Sequence, residues 1–161
     1  MPVLTIVAGP NGSGKTSVIR RVEFAGRANL LEADAIASQI CAAAPMRAAI
    51  PAGREVLRRA QEFLDSCEDF AIETTLSGNW TRRVIRRALV RHLFVRLLYI
   101  CLDSPERCIQ RVNERVAQGG HNVRAIDVRR RYFRSVGNLR QVLRTVDEAV
   151  IYDNSGESHD S

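Results

Sequence analysis

The sequence contains a single lysine, Lys15, although lysine and arginine together number 24. Every other basic residue is arginine, a bias that usually reflects codon composition. Position 15 is therefore an exception within this chain, and a compact ammonium on a flexible stem suits a crowded anion site better than a planar guanidinium does. The net charge of +6 predicts attraction to anions, but it does not choose between nucleotides, nucleotide sugars and nucleic acids.

Cysteine is also scarce, and its pattern argues against a zinc site or a redox pair. The four cysteines form no CxxC pair and no cluster with histidine at zinc spacing, so we expect four reduced thiols, as in a cytosolic protein. The N-terminus lacks the basic and apolar regions of a signal peptide, and no apolar run reaches the roughly 18 residues of a membrane span. These absences predict a cytoplasmic protein with no membrane partner.

The chain has enough apolar residues to form one hydrophobic core without disulfides or metals. Its 161 residues correspond to about one domain, and 45% of them are hydrophobic. We expect a single domain over residues 1–156 and a disordered tail over residues 157–161.

Strand and helix patterns alternate along the whole chain. Apolar, β-rich runs predict strands over residues 3–8, 30–34, 70–75, 93–102 and 149–152. Helical patterns lie between them, over residues 15–24, 35–44, 53–67, 79–91, 105–118 and 125–148. The glycine-rich run of residues 9–16, which ends in Gly-Lys-Thr, joins the first strand to the first helix. With this loop, the alternation predicts an α/β protein with the P-loop NTPase fold, a five-stranded parallel sheet sandwiched between helices. Polar residues at the strand ends then share one rim, where ligands bind in such sheets.

Residues 9–16 match the phosphate-binding pattern G-x-x-x-x-G-K-[ST] and lie between a predicted strand and a predicted helix. The glycines let backbone N–H groups converge on phosphate oxygens, and the helix N-terminus adds positive potential. Lys15 is expected to bridge the β- and γ-phosphates, and the Thr16 hydroxyl to ligate Mg²⁺. We therefore predict that ATP and Mg²⁺ are bound by Gly9, Pro10, Asn11, Gly12, Ser13, Gly14, Lys15, Thr16 and Ser17.

Acidic and hydroxyl side chains end the next two predicted strands. Asp34 is expected to end the second strand, where its carboxylate can take a proton from a substrate hydroxyl that attacks the γ-phosphate. The alternative is that Asp34 caps the following helix. Glu73 and Thr75 end the third strand, where the carboxylate of Glu73 can act on Mg²⁺ through water or on the acceptor, and Thr75 can hold an acceptor hydroxyl or phosphate. Strand-end polarity without a role is the alternative for these two residues.

Residues 124–134 contain five arginines in a predicted helix. Arg130, Arg131 and Arg134 are expected to share one face, apart from an apolar stripe formed by Val128, Tyr132, Val136, Leu139 and Leu143. Guanidinium groups that close over a transferring phosphoryl group stabilise its charge. We therefore predict an arginine-bearing lid hinged at Gly119–Gly120, with His121 and Arg130 contacting substrate. The alternatives are a solvated basic face and, for His121, a packing role.

Asn154 follows the last predicted strand. In phosphate-loop kinases the adenine often lies near this loop, and the amide of Asn154 can read its edge. An ordinary turn is the alternative.

Several motifs together resemble the zeta-toxin family of phosphate-loop kinases, and more closely its short bacterial branch. The matching pieces span the chain from end to end. They are residues 8–17, Asp34, residues 70–78, 115–123 and 129–135, Asn138 with Leu139, and residues 152–155. Arg124 departs from the pattern, because the short branch typically has proline at that point.

The resemblance implies a parallel-sheet kinase fold and ATP-dependent phosphorylation of a small molecule. In the toxins the acceptor is a hydroxyl of a UDP-activated amino sugar. By this resemblance Asp34 is the base, Glu73 and Thr75 are acceptor contacts, and Arg131 and Arg134 are the lid arginines. The partners that it implies are a small-molecule acceptor and an antitoxin protein.

Two other functions stay open at this point. One is an ATPase or nucleotide-binding module without an acceptor. The other is a kinase that acts on nucleic-acid ends, which the positive charge would suit. No aromatic residues interleave with the arginines for base stacking, which disfavours a nucleic-acid partner.

Overall fold

The computed structural model describes residues 1–156, in which five parallel strands form one sheet in the order β2-β3-β1-β4-β5. The strands are β1 Val3–Ala8, β2 Leu30–Glu32, β3 Phe70–Thr74, β4 Phe94–Cys101 and β5 Glu148–Asp153. The predicted five-stranded parallel sheet is confirmed. Because β1 lies between β3 and β4, the loop that follows it opens at a point where the strand order reverses, which is where such sheets bind ligands.

Helices cover both faces of this sheet. Within residues 1–156 they are α1 Lys15–Arg21, α2 Ala33–Ile40, α3 Ala49–Ser66, α4 Trp80–Val90, α5 Pro105–Ala117 and α6 Ala125–Leu143, with 3-10 turns at Arg27–Asn29 and Pro45–Ala48. None of the helices in this part of the chain is both long and apolar enough to cross a membrane. The tail predicted over residues 157–161 lies outside the described residues.

The main core lies between one face of the sheet and helices α2, α3, α4 and α6. Leu4 and Ile6 of β1 are fully buried there, against side chains such as Val56 of α3 and Val84 of α4. On the other face, Val7 packs in a smaller cluster with Val18 and other residues of the α1 region. Each fully buried side chain of this size stabilises the fold by about 1.5–3 kcal/mol, so β1 is held firmly on both faces and provides a rigid base for the loop that follows it.

Two element boundaries near the loop differ from the sequence prediction. Strand β2 ends at Glu32, because its pairing with β3 ends at the pair Glu32–Glu73. Asp34 therefore does not end a strand but lies in the first turn of α2, where a carboxylate is stabilised by the helix dipole. Helix α3 begins at Ala49, four residues before its predicted start, so Pro51 lies in its first turn. Proline is tolerated at that point because the N–H groups of a first turn have no partner within the helix.

Helix α6 is shorter than predicted and buries a different face. It ends at Leu143, and the residues predicted to continue it lead into β5. Val136 and Leu143 of the predicted apolar stripe are 45% and 38% exposed, whereas Ser135 and Val142 are buried. The two four-residue steps from Val128 to Val136 drift around a helix with 3.6 residues per turn. The hydroxyl of Ser135 is accommodated by a 2.8 Å hydrogen bond with the Tyr99 hydroxyl. The buried face is therefore partly polar, which an apolar pattern cannot indicate.

Gly26 provides a test of how tightly the turn before β2 packs on the sheet. Its φ is 84°, and a Cβ at this position would clash with the backbone of Phe70. We expect Gly26→Ala to lower the free energy of unfolding by about 2 kcal/mol or more, from backbone strain and from the clash. Chemical denaturation measures this change.

Gly53→Ala is the matched control, because Gly53 lies in α3 and a Cβ there would meet nothing within 4 Å. Alanine should stabilise that helix by up to about 1 kcal/mol. Equal effects of the two substitutions would contradict the packing described for Gly26.

Candidate active site

The loop between β1 and α1 lies at the carboxyl edge of the sheet and is anchored to its neighbours. The N–H of Gly9 donates to the carbonyl of Thr74 at the end of β3, at 3.2 Å. Gly14 has a φ of 102°, in the left-handed region, and a side chain there would meet the amide of Asn154. Glycine adopts this backbone conformation readily and, without a side chain, leaves room for Asn154. The loop is therefore held in its bent conformation by contacts within the protein itself.

Lys15 is buried beneath this loop, with 8% of its side chain exposed. Its ammonium donates to the carbonyl of Gly9 at 2.7 Å and to that of Pro10 at 3.1 Å. The same Nζ lies 3.5 Å from Oε1 of Glu73 on β3. A buried charge is stable only when it is paired and hydrogen-bonded, and Lys15 meets both conditions. The ammonium thus joins the loop to the neighbouring strand.

Glu73 is a carboxyl group in an unfavourable environment. Burial raises the pKa of Glu73 above its usual value, the ammonium of Lys15 opposes this shift, and the carboxylates of Asp34 and Glu32 add to it. The three acidic residues lie on β2, on β3 and in the first turn of α2, close enough for their charges to repel one another. A cation brought among them would relieve this repulsion.

A cavity of about 380 Å³, here called the loop cavity, lies over the phosphate-binding loop. Its walls are formed by the loop, by the first turn of α2, and by Arg111 and Arg115 of α5. Backbone N–H groups, an ammonium and two guanidinium groups make it a site for an anion of several charges.

A second cavity of about 260 Å³, here called the Trp80 cavity, lies beside the first. It is bounded by alanines of α2 and α3, by Trp80 of α4, and by the turn that follows β3. Thr75 and Ser77 belong to that turn, and their hydroxyl oxygens are 2.7 Å apart. The turn is also fixed from α6, since the amide of Asn138 donates to the carbonyl of Leu76 at 2.8 Å.

Three residues line both cavities: Asp34, Glu73 and His121. All three were candidate site residues from the sequence alone. Asp34 reaches this position from the first turn of α2, Glu73 from β3, and His121 from the segment between α5 and α6. The two cavities therefore meet at a pair of carboxylates and an imidazole.

Of the three predicted lid arginines, the structure brings Arg131 alone to the cavities. Arg131 lines the Trp80 cavity and donates to Oδ1 of Asn11 in the loop at 3.3 Å. Arg130 instead pairs with the buried carboxylate of Asp127 at 2.8 Å. Arg134 is exposed and lines neither cavity. The helix turns by about 100° per residue, so Arg131 points to a different side from Arg130.

Arg111 and Arg115 were not identified as site residues from the sequence. They lie one helical turn apart on α5, and both line the loop cavity. Arg111 donates to the carbonyl of Asn154 at 2.8 Å, and Arg115 donates to the carbonyl of His121 at 3.2 Å. Their i, i+4 spacing on a helix that starts at the ligand-binding rim is the signal that could have found them.

Asn154, predicted to contact adenine, packs against the loop. Its side-chain amide donates to the carbonyl of Ser13 at 2.8 Å, and its backbone N–H donates to the carbonyl of Cys101 at 2.9 Å. It lines neither cavity. In this structure Asn154 supports the conformation of the loop.

The donors around Thr16 fit a magnesium ion. Thr16 and Ser17 expose their hydroxyl groups at the start of α1, and the carboxylate of Asp34 lines the same cavity. Hydroxyl and carboxylate oxygens are hard ligands, and Mg²⁺ is usually held by one or two of them together with phosphate oxygens.

Sequence comparison assigns this chain to a family. The family model described as an AAA domain matches residues 4–136. The chain belongs to this AAA-domain family. It is also 33% identical, over 124 residues, to an uncharacterized protein of Haemophilus influenzae. The aligned stretch covers 77% of this chain and 88% of that protein.

Two solved structures share the fold of this AAA-domain protein. A candidate kinase from Chloroflexus aurantiacus aligns with a TM-score of 0.64 and 19% identity over 99% of this chain and 92% of that one. A structure of the PezAT chromosomal toxin–antitoxin system of Streptococcus pneumoniae aligns with a TM-score of 0.70 and 18% identity over 96% of this chain and 68% of that one. These likenesses confirm the P-loop kinase fold. The assignment to the zeta-toxin branch stays a prediction.

The buried carboxyl of Glu73 predicts a pH dependence of stability. Because burial raises the pKa of Glu73 in the folded protein above its ordinary value of 4.5, the folded state holds this proton more tightly. The charged form therefore costs stability as the pH rises through the folded pKa. Glu73→Gln should therefore be more stable than the unchanged AAA-domain protein at pH 8. The gap should narrow as the pH falls toward 4.5. Thermal unfolding across this pH range measures it.

Glu68→Gln is the control for this comparison, because Glu68 is exposed and lies outside both cavities. It should show no comparable gain at pH 8. A Glu73→Gln variant that is less stable at pH 8 would mean that the attraction between Lys15 and Glu73 outweighs the cost of burial.

Proposed function

We propose that this protein is an ATP-dependent kinase that transfers the γ-phosphate to a hydroxyl group of a small molecule. One observation carries the proposal: Asp34, Glu73 and His121 line both the loop cavity and the Trp80 cavity. A nucleotide bound in the first cavity and an acceptor bound in the second would meet at these three residues. A pure ATPase module needs no second cavity that opens onto the first.

The loop cavity supplies what a triphosphate requires. Backbone N–H groups of the loop and the N-terminus of α1 would hold the phosphate oxygens, and Lys15 already lies under the loop with its ammonium on two carbonyl oxygens. Mg²⁺, held by Thr16 and the phosphates, neutralises part of the phosphate charge when it is bound. Arg111 and Arg115 add positive charge from α5.

Asp34 is the proposed base. Its carboxylate takes the proton from the acceptor hydroxyl, the hydroxyl oxygen forms a bond to the γ-phosphorus, and the bond between this phosphorus and the β,γ-bridging oxygen breaks. The electron pair of the broken bond stays with ADP, and the proton leaves Asp34 for solvent. Asp34 is exposed at the junction of the cavities, so it is accessible both to an acceptor and to water.

Arg131 is the proposed stabiliser of the charge on the transferring group. Its guanidinium lies between the loop residue Asn11, at 3.3 Å, and the sulfur of Met46, at 3.9 Å. It therefore stands at the boundary between the two cavities. A guanidinium in that position can stay close to the phosphoryl group while negative charge develops on the leaving oxygen.

A UDP-activated amino sugar is the specific acceptor that the zeta-toxin resemblance implies, and it belongs to the proposal as the first acceptor to test. The structural likeness to the PezAT toxin–antitoxin system extends to the fold. An antitoxin partner and a cytoplasmic location complete this proposal.

Asp34→Asn tests the assignment of the base. We expect the variant to bind ATP nearly as well as the unchanged protein and to lose phosphotransfer by about 10²–10⁴-fold, the usual contribution of a positioned base. Mass spectrometry of phosphorylated products, with ATP and a broad acceptor library that includes UDP-N-acetylglucosamine, measures the transfer. Asp65→Asn, an exposed change in α3 outside both cavities, is the control.

Two results would contradict the proposed function. ATP hydrolysis without any phosphorylated product across the library would favour an acceptor-free ATPase. Labelling of oligonucleotides that carry free 5′ hydroxyls, with no small-molecule product, would favour a nucleic-acid-end kinase.

Arg131 and Arg134 form a matched pair of variants on one helix. Arg131→Gln should lower kcat by about 10²-fold or more, since it removes a donor at the junction of the cavities. Arg134→Gln should stay within about twofold of the unchanged enzyme, as expected for an exposed side chain. Steady-state kinetics measures both, and thermal melts show whether either variant is unfolded. Equal losses would mean that α6 closes in a way that also brings Arg134 to the phosphates.

A further inference from the structure

The Trp80 cavity has walls that select for an apolar molecule. Small side chains of two packed helices leave the space: Ala33 and Ala37 on α2 face Ala49 and Ala52 on α3. The indole of Trp80 closes one side. These walls carry no hydrogen-bonding side chain other than the indole N–H, so a ligand body packed against them gains most from apolar or ring contacts.

Positive charge is nearly absent from this cavity. Among the described residues that line it, Arg131 is the one arginine or lysine, and its guanidinium is directed to Asn11 in the loop. The two carboxylates Asp34 and Glu73 line the same space. A phosphate group on an acceptor would therefore meet more negative than positive charge, and burying it unpaired is costly.

The loop cavity holds more cations, although three carboxylates, Glu32, Asp34 and Glu73, line it too. Lys15, Arg111 and Arg115 all line that cavity. The capacity to bind several phosphate charges therefore lies on the nucleotide side. An acceptor diphosphate would have to remain outside the Trp80 cavity, away from these three cations.

The volume of the Trp80 cavity limits the size of the ligand that it can enclose. Its volume of about 260 Å³ is below the range of roughly 300–1,000 Å³ that encloses drug-sized ligands. The polar groups lie at one end, where Thr75 and Ser77 follow β3 and Asp34 reaches from α2. A compact ligand would place a hydroxyl at this end and its apolar body against Trp80.

We propose that the acceptor is a compact, uncharged alcohol with an apolar or ring-shaped body and no phosphate groups. This inference rests on the proposed kinase function and specifies its substrate class. The group transfer is the one already given: the alcohol oxygen gains the phosphoryl group, its proton leaves through Asp34, and ADP is released. A UDP-activated sugar carries a diphosphate and is therefore not an acceptor of this class.

Trp80 makes the test direct, because it is the only tryptophan of the chain and it lines the cavity. Uncharged alcohols of small size are titrated into the full-length protein while its tryptophan fluorescence is recorded. Each alcohol is paired with its own phosphorylated counterpart, and UDP-N-acetylglucosamine is included. Trp80→Phe removes the signal and identifies its source. The same compounds are then incubated with ATP, and products are detected by mass spectrometry.

We expect at least one uncharged alcohol to change the fluorescence and to be phosphorylated, with at least tenfold weaker binding of its phosphorylated counterpart. Binding or turnover confined to phosphate-bearing compounds, UDP-N-acetylglucosamine among them, would overturn the inference and leave the kinase function standing. No fluorescence change with any uncharged alcohol would also overturn it. Binding of uncharged alcohols without phosphorylation of any compound would instead refute the kinase function.

A charge variant tests the reason for the selectivity. Ile50 lines the cavity and is 71% exposed, so Ile50→Arg adds a cation at the mouth without disturbing the core. Binding of the phosphorylated counterparts should strengthen by about tenfold or more, the usual worth of a hydrogen bond to a charged group. Ile40→Arg adds the same charge at the exposed end of α2 outside both cavities and is the control. Equal effects of the two variants would show that the charge of the cavity does not select the acceptor.

Discussion

The ammonium of Lys15 joins the parts of the molecule on which the rest of the site depends. It is buried, it donates to two carbonyl oxygens of the loop, and it lies 3.5 Å from the Glu73 carboxylate on the neighbouring strand. Each charge lowers the cost of burying the other, although the ammonium also has the two carbonyl groups as partners. The ion pair between Lys15 and Glu73 therefore connects the loop to the carboxyl group at the junction of the cavities.

Two cavities with different linings lie on one rim, because the segments that follow parallel strands all begin at the same edge of the sheet. The segment after β1 brings backbone N–H groups and Lys15, and α5, which follows β4, brings Arg111 and Arg115. The turn after β3 brings hydroxyl groups, beside the alanine-rich surfaces of α2 and α3. The topology thus concentrates cations on the loop side, and the carboxylates of Asp34 and Glu73 lie where the two cavities meet.

The sequence predicted those features that depend on local pattern. The loop motif, the alternation of strands and helices, and the candidates Asp34, Glu73 and His121 needed only spacing and residue type. Arg111 and Arg115 were missed because their role depends on how α5 packs beside the loop. The buried face of α6 was partly wrong because Ser135 is accommodated by the hydroxyl of Tyr99, which is 36 residues away in the chain. Such long-range pairings leave no local periodic signal.

Helix α6 touches both halves of the site with side chains seven residues apart. Arg131 reaches Asn11 in the loop, and Asn138 holds the carbonyl of Leu76 in the turn beside the Trp80 cavity. These residues are about 10 Å apart along a stiff helix, so a tilt of α6 moves both contacts together. If binding in either cavity changes the tilt of α6, binding in the two cavities is thermodynamically coupled through this helix. By thermodynamic linkage, each ligand then changes the affinity for the other by the same factor.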